Sequence, residues 1–235
     1  MTGMRDELPL TGSEKRKAVH PRDAASLIVI DRSGDQPRFL MGKRHAAHVF
    51  MPEKYVFPGG KTETGDRREH STPLHPGCHV RLASGSRQAS DRAVHALAVC
   101  AVRESWEEAR IAVALAGSFQ SEAPMPMPFL PDLSQLRYVA RAITPPGYPR
   151  RYDTRFFAVF RDVVVEAAPS QGADVEMTGF SYVSETETRD MDLPSITRII
   201  LDSVCRRLEA DPELNMHQPL PIFRTRGRRF LCDFI

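Results

Sequence analysis

The residues best suited to chemistry stand in the segment RESWEEARI, residues 103–111. Glu104, Glu107 and Glu108 are spaced i, i+3 and i+4, so at about 100° per residue they share one side of a helix. Apolar residues continue that side toward residue 94. Carboxylates in an apolar stripe repel one another and resist burial, and a divalent cation relieves both costs. Oxygen-only ligands favour Mg²⁺ or Mn²⁺ over Zn²⁺.

A glycine-rich segment lies upstream, GGKTETGD at residues 59–66. Glycine lets the backbone turn sharply and approach a phosphate or a metal closely. Pro58, Gly59 and Gly60 are therefore predicted to form a backbone turn after a short strand at 55–57. A strand, a glycine loop and an acidic helix are together typical of a site for metal and phosphate.

These two segments resemble the signature of the Nudix hydrolases, G-x5-E-x7-R-E-U-x-E-E-x-G-U, in which U is a bulky aliphatic residue. Gly60 and Asp66 match the first half, and residues 103–111 match the second. Residues 67–102, 36 in number, separate the halves where the signature has 7, an excess of 29. This split signature, with HVFMPEKYVFPGG before it and TPPGYPRRYDTRFFAVF after it, is similar to the branch that includes the mammalian peroxisomal coenzyme A diphosphatase.

The resemblance implies a role for each matching residue. The carbonyl of Gly60 and the three glutamates would bind the metal. Arg103 would hold carboxylates in position through Asp66 or Glu63, which form the supporting loop together with Gly59. A later loop in this family often adds a glutamate as base or extra ligand, and Glu176 is the candidate here. The implied catalytic residues are therefore Arg103, Glu104, Glu107, Glu108 and Glu176, and the candidate substrate-binding residues are Arg44, Arg150 and Arg151.

The chain departs from the family signature at three positions. Asp66 replaces a glutamate and is one methylene shorter, but it can still accept a hydrogen bond from Arg103. Ser105 replaces an aliphatic residue, which costs packing rather than chemistry. Arg110 replaces the glycine that ends the helix, and a left-handed non-glycine residue costs on the order of 1 kcal/mol. None of the three removes a candidate metal ligand.

Local patterns predict the elements that must position these residues. Strands are predicted at 26–30, 39–43, 55–57, 112–115, 136–143, 155–165 and 180–183. Helices are predicted at 91–109, capped by Ser90 or Asp91, and at 194–210, ended by Pro212. The fold class is therefore α/β (α+β), and the resemblance implies an α/β/α sandwich with a mixed β-sheet between helices.

The predicted domain limits follow from composition. Residues 1–22 are an arm, residues 23–211 the Nudix domain with an insertion at about 67–95, and residues 212–235 a basic extension with a hairpin at Arg226-Gly227. Residues 67–89 are polar and are predicted to form a loop outside the core.

Several charged residues have a plain structural explanation beside a functional one. Lys43, Arg44 and His45 either touch substrate phosphates or end a solvated strand. The basic tail either clamps a 3′-phosphate or, as we favour, forms a solvated edge. The insertion contains a short Cys/His tract whose spacing fits no familiar zinc site, so a flexible loop is favoured: His70, His75, Cys78 and His79.

Composition excludes several classes of protein. The 235 residues are 41% hydrophobic and 26% charged, which excludes wholesale disorder. A net charge of +2 offers no basic excess for nucleic acid or membrane binding. Four scattered cysteines and a polar N-terminus without the apolar core of a secretory signal favour a cytoplasmic setting. A homodimer is left open.

The sequence thus predicts an enzyme, a Nudix hydrolase that uses Mg²⁺ or Mn²⁺ to cleave a small-molecule diphosphate. The resemblance makes coenzyme A or an acyl-coenzyme A the first candidate among nucleoside-diphosphate-linked compounds. A nucleotide sugar or a dinucleotide is the alternative substrate. A non-catalytic nucleotide sensor is the alternative class, although such a domain would be marked by loss of the carboxylates.

Overall fold

The computed structural model describes residues 19–45, 52–84, 90–120, 127–167, 177–215, 217–227 and 229–235. Within these ranges the strands are β1 (Arg22–Asp31), β2 (Arg38–Arg44), β3 (Tyr55–Val56), β4 (Gly59–Lys61), β5 (Ile111–Ala112), β6 (Arg137–Ile143), β7 (Tyr152–Phe160), β8 (Val165–Glu166), β9 (Met177–Ser184), β10 (Pro221–Arg226) and β11 (Arg229–Phe234). The helices are α1 (Pro76–Ser84), α2 (Asp91–Ala109) and α3 (Ser195–Ala210). No described helix is both long enough and apolar enough to span a bilayer.

One large mixed sheet organises the chain. Its strand order is β11-β10-β6-β7-β1-β2-β3, with β4 paired to β1 and β9 paired to β2. The β1–β7 and β6–β10 pairs are parallel, and the other pairs are antiparallel. Strands β5 and β8 form a small separate sheet.

Both faces of this sheet are covered, which explains the continuous apolar run in β1. Leu27 and Val29 pack with α2 on one face, and Ile28 and Ile30 pack with α3 on the other. Helices therefore enclose a mixed sheet, and the predicted α/β (α+β) class and sandwich architecture are confirmed.

The helix that carries the acidic residues has the predicted limits. Ser90 is its N-cap, and the Ser90 hydroxyl accepts from the backbone N–H of Ala93 at 3.3 Å. Its C-cap is Arg110 in the left-handed conformation, with φ 57° and ψ 32°. The start of α3 one residue after Pro194 likewise agrees with the prediction.

The predicted turn at Pro58-Gly59-Gly60 is wrong at its two glycines, although the chain bends at Pro58. Gly59–Lys61 is strand β4, which pairs with Ala24–Ser26 of β1 in antiparallel register. The glycines are needed for close approach rather than for turning, because a Cβ on Gly59 would lie 2.6 Å from the carbonyl oxygen of Ala25. The Ser26 hydroxyl adds a 2.8 Å hydrogen bond to the carbonyl of Pro58.

The predicted loop at 67–89 is also wrong over part of its length, since residues 76–84 form α1. Cys78 and Leu82, one helical turn apart, are 0% and 3% exposed and belong to the core on the α2 side. The Cys78 thiol donates to the carbonyl of Leu136 and accepts from the N–H of Tyr138, both at 3.3 Å. Cys78 and Leu82 therefore give α1 a buried face that docks on the core.

Smaller differences concern strand ends. The strand predicted at 155–165 ends at Phe160, and Val165–Glu166 is a separate strand paired with β5. The strand predicted at 112–115 is Ile111–Ala112. The tail hairpin forms as predicted, and its strand β10 joins the large sheet beside β6.

The docking of α1 leads to a prediction about stability. Leu82→Ala should lower the free energy of unfolding by about 2–4 kcal/mol, because the truncation leaves a cavity in the core. Val80 on the same helix is 65% exposed, so Val80→Ala should change the free energy of unfolding by less than about 0.5 kcal/mol. Chemical denaturation of the two variants measures the difference, and equal small effects would show that α1 does not belong to the core.

Candidate active site

Helix α2 brings the acidic residues to strand β4. Its apolar side is fixed against the sheet by fully buried residues such as Ala98 and Ala101. The three glutamates follow at the end of the helix, where Glu104 is 13% and Glu107 37% exposed in their side chains. Their helical spacing therefore puts the carboxylates at the rim of the core and not within it.

Arg103 is the centre of the site. Its side chain is 6% exposed, and Nε and Nη2 bind Asp66 at 2.8 and 3.2 Å. Nη1 donates to Glu104 at 3.0 Å and to Glu107 at 2.8 Å. Nη2 also donates to the carbonyl of Lys61 at 3.1 Å. The planar guanidinium thus joins the loop after β4 to two of the three glutamates.

The electrostatics of this cluster favour a charged guanidinium. Burial by itself lowers the pKa of Arg103, but the hydrogen bonds to Asp66 and the charge of Glu104 outweigh it and raise that pKa. Asp66 is 2% exposed, and it also accepts the backbone N–H of Glu63 at 2.7 Å. Removing Arg103 would leave the buried carboxylate of Asp66 without a counter-charge among its hydrogen-bond partners.

The glycine pair lies directly against the carboxylates. The N–H of Gly59 donates to Glu108 at 2.8 Å. A Cβ on Gly60 would overlap the carboxylate of Glu104, so this position leaves no room for a side chain. Backbone and carboxylate oxygens therefore meet at one place, as the sequence predicts, although through a strand and not a turn.

Cys100 is a member of this cluster that the sequence analysis missed. Its thiol is fully buried and donates to the carbonyl of Gly60 at 3.6 Å. Burial, and after it the charge of Glu104, raise the pKa of the Cys100 thiol, which therefore stays protonated as a donor. The signal that could have found it is the i, i+4 spacing from Glu104 on the same helix side.

The donor set fits a hard divalent cation in its chemistry. In the described ranges no three His, Cys, Asp or Glu side chains already form a group that could hold a metal ion. Glu104 and Glu107 are instead turned to Arg103, and Glu108 to Gly59. All the donors are oxygens beside a glycine whose Cβ would intrude, which suits Mg²⁺ or Mn²⁺. A cation would therefore compete with these hydrogen bonds for the carboxylates.

The remaining predicted site residues are Glu63, Arg44, Arg150, Arg151 and Glu176. The Glu63 side chain is exposed and faces Lys61 at 3.7 Å, so it is Asp66 that reaches Arg103. Arg44 is half-buried at the end of β2. Arg150 is exposed before β7. Glu176 lies outside the described residues.

Arg151 is partly engaged with the backbone. Its Nε donates to the carbonyl of Thr144 at 3.0 Å and its Nη1 to that of Val19 at 2.7 Å. An open depression of about 160 Å³ lies in the loop beyond β4, lined by Thr62, Glu63, Thr64 and Arg67. This depression follows the glycine pair along the chain, and none of the three glutamates lines it.

The departures at positions 105 and 110 have visible consequences. Ser105 is fully buried, and no described residue hydrogen-bonds its hydroxyl. Arg110 adopts the left-handed cap that the signature reserves for glycine. Its guanidinium lies 5.2 Å from the ring centre of Trp106, a cation–π contact that offsets part of the backbone cost. Both departures affect helix packing and leave the carboxylates in place.

The sequence and the fold were compared with those of known proteins. No family model matches the sequence, and no curated protein matches it. Among solved structures, a Nudix hydrolase from Alicyclobacillus acidocaldarius superposes with a TM-score of 0.56 at 22% identity, covering 80% of this chain and 92% of its own. The chain has the Nudix fold.

Two further solved structures match with lower scores. A MutT protein from Bacillus halodurans has a TM-score of 0.47 at 11% identity, covering 90% of this chain and 97% of its own. A MutT Nudix hydrolase from Burkholderia pseudomallei has a TM-score of 0.45 at 15% identity, covering 79% and 99%. Within the Nudix fold of this chain, the two halves of the signature meet through Asp66 and Arg103 although 36 residues separate them.

The contact between Gly60 and Glu104 can be tested by metal binding. Gly60→Ala should weaken Mn²⁺ binding by about tenfold or more, because the new Cβ displaces the Glu104 carboxylate. Gly65→Ala is the matched control, since no atom lies within 4 Å of the Cβ position there. Calorimetric titration with Mn²⁺ measures both affinities, and equal values would show that Glu104 is not a ligand.

Proposed function

We propose that the chain is a metal-dependent Nudix hydrolase that cleaves the diphosphate bond of a nucleoside-diphosphate-linked small molecule. The observation that carries the proposal is the convergence of Arg103, the glutamates and the glycine pair at one end of α2. The likeness of fold supports this proposal but does not specify a substrate. All three carboxylates are retained, which argues against a non-catalytic sensor.

Each group in the cluster has a task in such a reaction. Glu104, Glu107 and Glu108, with the carbonyl of Gly60, would hold Mg²⁺ or Mn²⁺. When bound, such an ion polarises the phosphoryl oxygens and lowers the pKa of a coordinated water. Arg103 keeps two of the carboxylates at the rim of the core, and Asp66 neutralises its charge from the buried side. Glu108 is fixed separately, by the N–H of Gly59.

Coenzyme A or a short acyl-coenzyme A is the proposed substrate within this class. The support is the resemblance of the split signature, together with arginines at the sheet end nearest the loop after β4. Gly60 pairs with Ala25 of β1, and Tyr152 pairs with Arg22 three residues away. Arg151 precedes Tyr152, so it lies four residues, about 13 Å, along the strands from Gly60.

That spacing suits a substrate with a second anionic group remote from the diphosphate. The 3′-phosphate of coenzyme A is such a group, and arginine binds phosphate with two parallel hydrogen bonds. Arg44 and Arg150 are the further candidates for this contact, and a nucleotide sugar or dinucleotide is the alternative substrate. A cytoplasmic location and the absence of nucleic acid and membrane partners belong to the same proposal.

The metal role predicts a clear effect of charge removal. Glu107→Gln and Glu108→Gln keep the side-chain shape but remove a candidate ligand charge, so turnover and Mg²⁺ affinity should both fall by orders of magnitude. Glu209→Gln, an exposed change on α3, is the control and should leave both values unchanged. Turnover is measured on a panel of diphosphates. Unchanged Mg²⁺ dependence in both active-site variants would overturn the proposed mechanism.

The substrate proposal predicts discrimination at the 3′-phosphate. Coenzyme A should be cleaved to 3′,5′-ADP and the 4′-phosphopantetheine product, as identified by mass spectrometry. Dephospho-coenzyme A should react more slowly than coenzyme A by at least about tenfold, because one charge-assisted contact is lost. Equal rates would mean that no residue recognises the 3′-phosphate. Preference for a nucleotide sugar would move the substrate assignment to the alternative and leave the metal site as proposed.

A further inference from the structure

The tail hairpin ends the large sheet with an open edge. Strand β11 is the last strand in the described strand order, and β10 is its only partner there. Its apolar side chains are exposed, with Phe230 at 37%, Phe234 at 64% and the adjoining Ile235 at 40%. The register with β10 is regular, so no bulge protects the edge. An edge of this kind is suited to pairing with a strand of another molecule.

The backbone groups that face outward follow from the register with β10. Ile235 and Leu220 donate to each other's carbonyl groups, at 2.8 and 3.1 Å, so they are a hydrogen-bonded pair. Such pairs alternate along an antiparallel ladder with pairs whose backbone groups point away from the neighbouring strand. The N–H and C=O groups of Phe230, Cys232 and Phe234 therefore point away from β10, and no described strand receives them.

The three outward-facing residues are arranged symmetrically about Cys232. When a two-fold axis relates two antiparallel strands, residues equally far from the axis lie opposite each other. An axis at Cys232 therefore places Phe230 of each copy opposite Phe234 of the other copy. All three positions then become hydrogen-bonded pairs, and each pair exchanges two backbone hydrogen bonds. This register uses every outward-facing backbone group of β11.

The side chains match in the same register. Phe230, Cys232 and Phe234 are two residues apart in a strand, so they project from one face of the sheet. This is the α3 face, since Cys232 lies opposite Phe223, which belongs to the core on that side. Phe230 already stacks on Phe223, with ring centres 6.0 Å apart. Aromatic side chains opposite each other stabilise a strand pair, and the two-fold axis provides two such pairs.

The charges of the edge strand are complementary in this arrangement. Arg229 begins β11 and Asp233 lies near its end, so each copy brings a positive charge to the negative charge of the other. The two residues become diagonal neighbours, within reach of a long side chain. Asp233 is engaged within its own chain by Arg224, which donates to Oδ2 at 2.6 Å. Arg224 and Arg226 of β10 would lie three strand spacings, about 14 Å, from β10 of the other copy, beyond the screening length of about 8 Å.

We propose that β11 pairs antiparallel with β11 of a second copy of this chain, about a two-fold axis at Cys232, and joins the two large sheets into one. A single strand pair buries less area than a standard interface, so the dimer is reversible with a dissociation constant in the micromolar range. Strands β1, β7, β6 and β10 separate this edge from β4, so the interface is distinct from the candidate active site.

The test is sedimentation equilibrium of the full chain under reducing conditions and without substrate. We expect an equilibrium between monomer and dimer, and its dissociation constant is the reference for the variants. A parent chain that stays monomeric up to about 0.5 mM would overturn the proposal, since that concentration is far above a micromolar dissociation constant. No hydrolysis is measured, so the result is independent of the proposed activity.

Two substitutions of Cys232 form a matched pair. Cys232→Pro removes the outward-facing N–H at the axis and spares the hydrogen bonds to β10, so the dissociation constant should rise by at least about tenfold. Proline is accepted where the N–H of an edge strand faces outward, so the monomer should keep its fold. Cys232→Ser retains this N–H and should dimerise as the parent does. Equally strong dimers in both variants would overturn the proposal.

A second variant tests the aromatic pairs in case Cys232→Pro does not fold. Phe234→Lys changes an exposed side chain and, by symmetry, removes both aromatic pairs, so the dissociation constant should rise by at least about tenfold. Val80→Lys on α1 is the control, since Val80 is 65% exposed and lies on a different element. It should leave the dissociation constant unchanged. A dimer of undiminished strength in Phe234→Lys would contradict the proposed interface.

Oxidation tests the position of the axis. Residues opposite each other in a hydrogen-bonded pair have Cα atoms about 5.5 Å apart, which is within the range of a disulfide. Cys232 is exposed. Diamide, which takes up the two thiol hydrogens, should therefore link two parent chains through Cys232, and dithiothreitol should reverse the link. Cys232→Ser should give no covalent dimer on a non-reducing gel. Dimers that diamide does not link through Cys232 would overturn the proposed axis.

Discussion

The buried ion pair between Arg103 and Asp66 is the interaction on which the site depends. Both side chains are almost completely buried, and all five N–H groups of the guanidinium are placed to bind carboxylates or a backbone carbonyl. Arginine is suited to this position because its donors lie in one plane at fixed angles. Carboxylates that would otherwise repel one another are thereby gathered on one side of a helix end.

This interaction also explains how the chain tolerates a long insertion between the halves of the site. The residues between Asp66 and Arg103 leave the site and return to it, and the ion pair closes the excursion. Their cost in loop entropy grows only slowly with length. Helix α1 offsets part of that cost by burying Cys78 and Leu82. The insertion is therefore partly structural, and not only a surface loop.

The two glycines of β4 show a second constraint, which is the short distance of this strand from β1 and from helix α2. Gly59 lies against the backbone of β1 and Gly60 against the carboxylate of Glu104, so a side chain at either position would push the strand and the helix apart. Arg207 presents the opposite situation on the other face of the sheet. There the buried guanidinium donates to the carbonyl of Pro219, and among the described residues no carboxylate lies within ion-pair distance of it.

Much of the architecture follows from local pattern alone. The limits of α2 and α3, the apolar run of β1 and the tail hairpin are determined by residues close in sequence: the Ser90 cap, the helical spacing of apolar residues, and Arg226-Gly227. The common side of Glu104, Glu107 and Glu108 follows in the same way, because helical geometry relates residues three and four apart. Arg103 was predicted as the residue that holds these carboxylates, whereas the hydrogen bond from the N–H of Gly59 to Glu108 was not.

Tertiary structure decided what depends on distant neighbours. Gly59 and Gly60 look like a turn from local preference, and only the pairing with β1 makes them a strand. The segment around Cys78 resembles a loop in the sequence. It docks as a helix because Cys78 binds the carbonyl of Leu136 and the N–H of Tyr138 at the start of β6. The choice of Asp66 over Glu63 as the partner of Arg103, and the thiol of Cys100 beneath Gly60, likewise depend on contacts across the fold. Sequence spacing cannot specify such contacts, because they are created by packing of elements that are far apart along the chain.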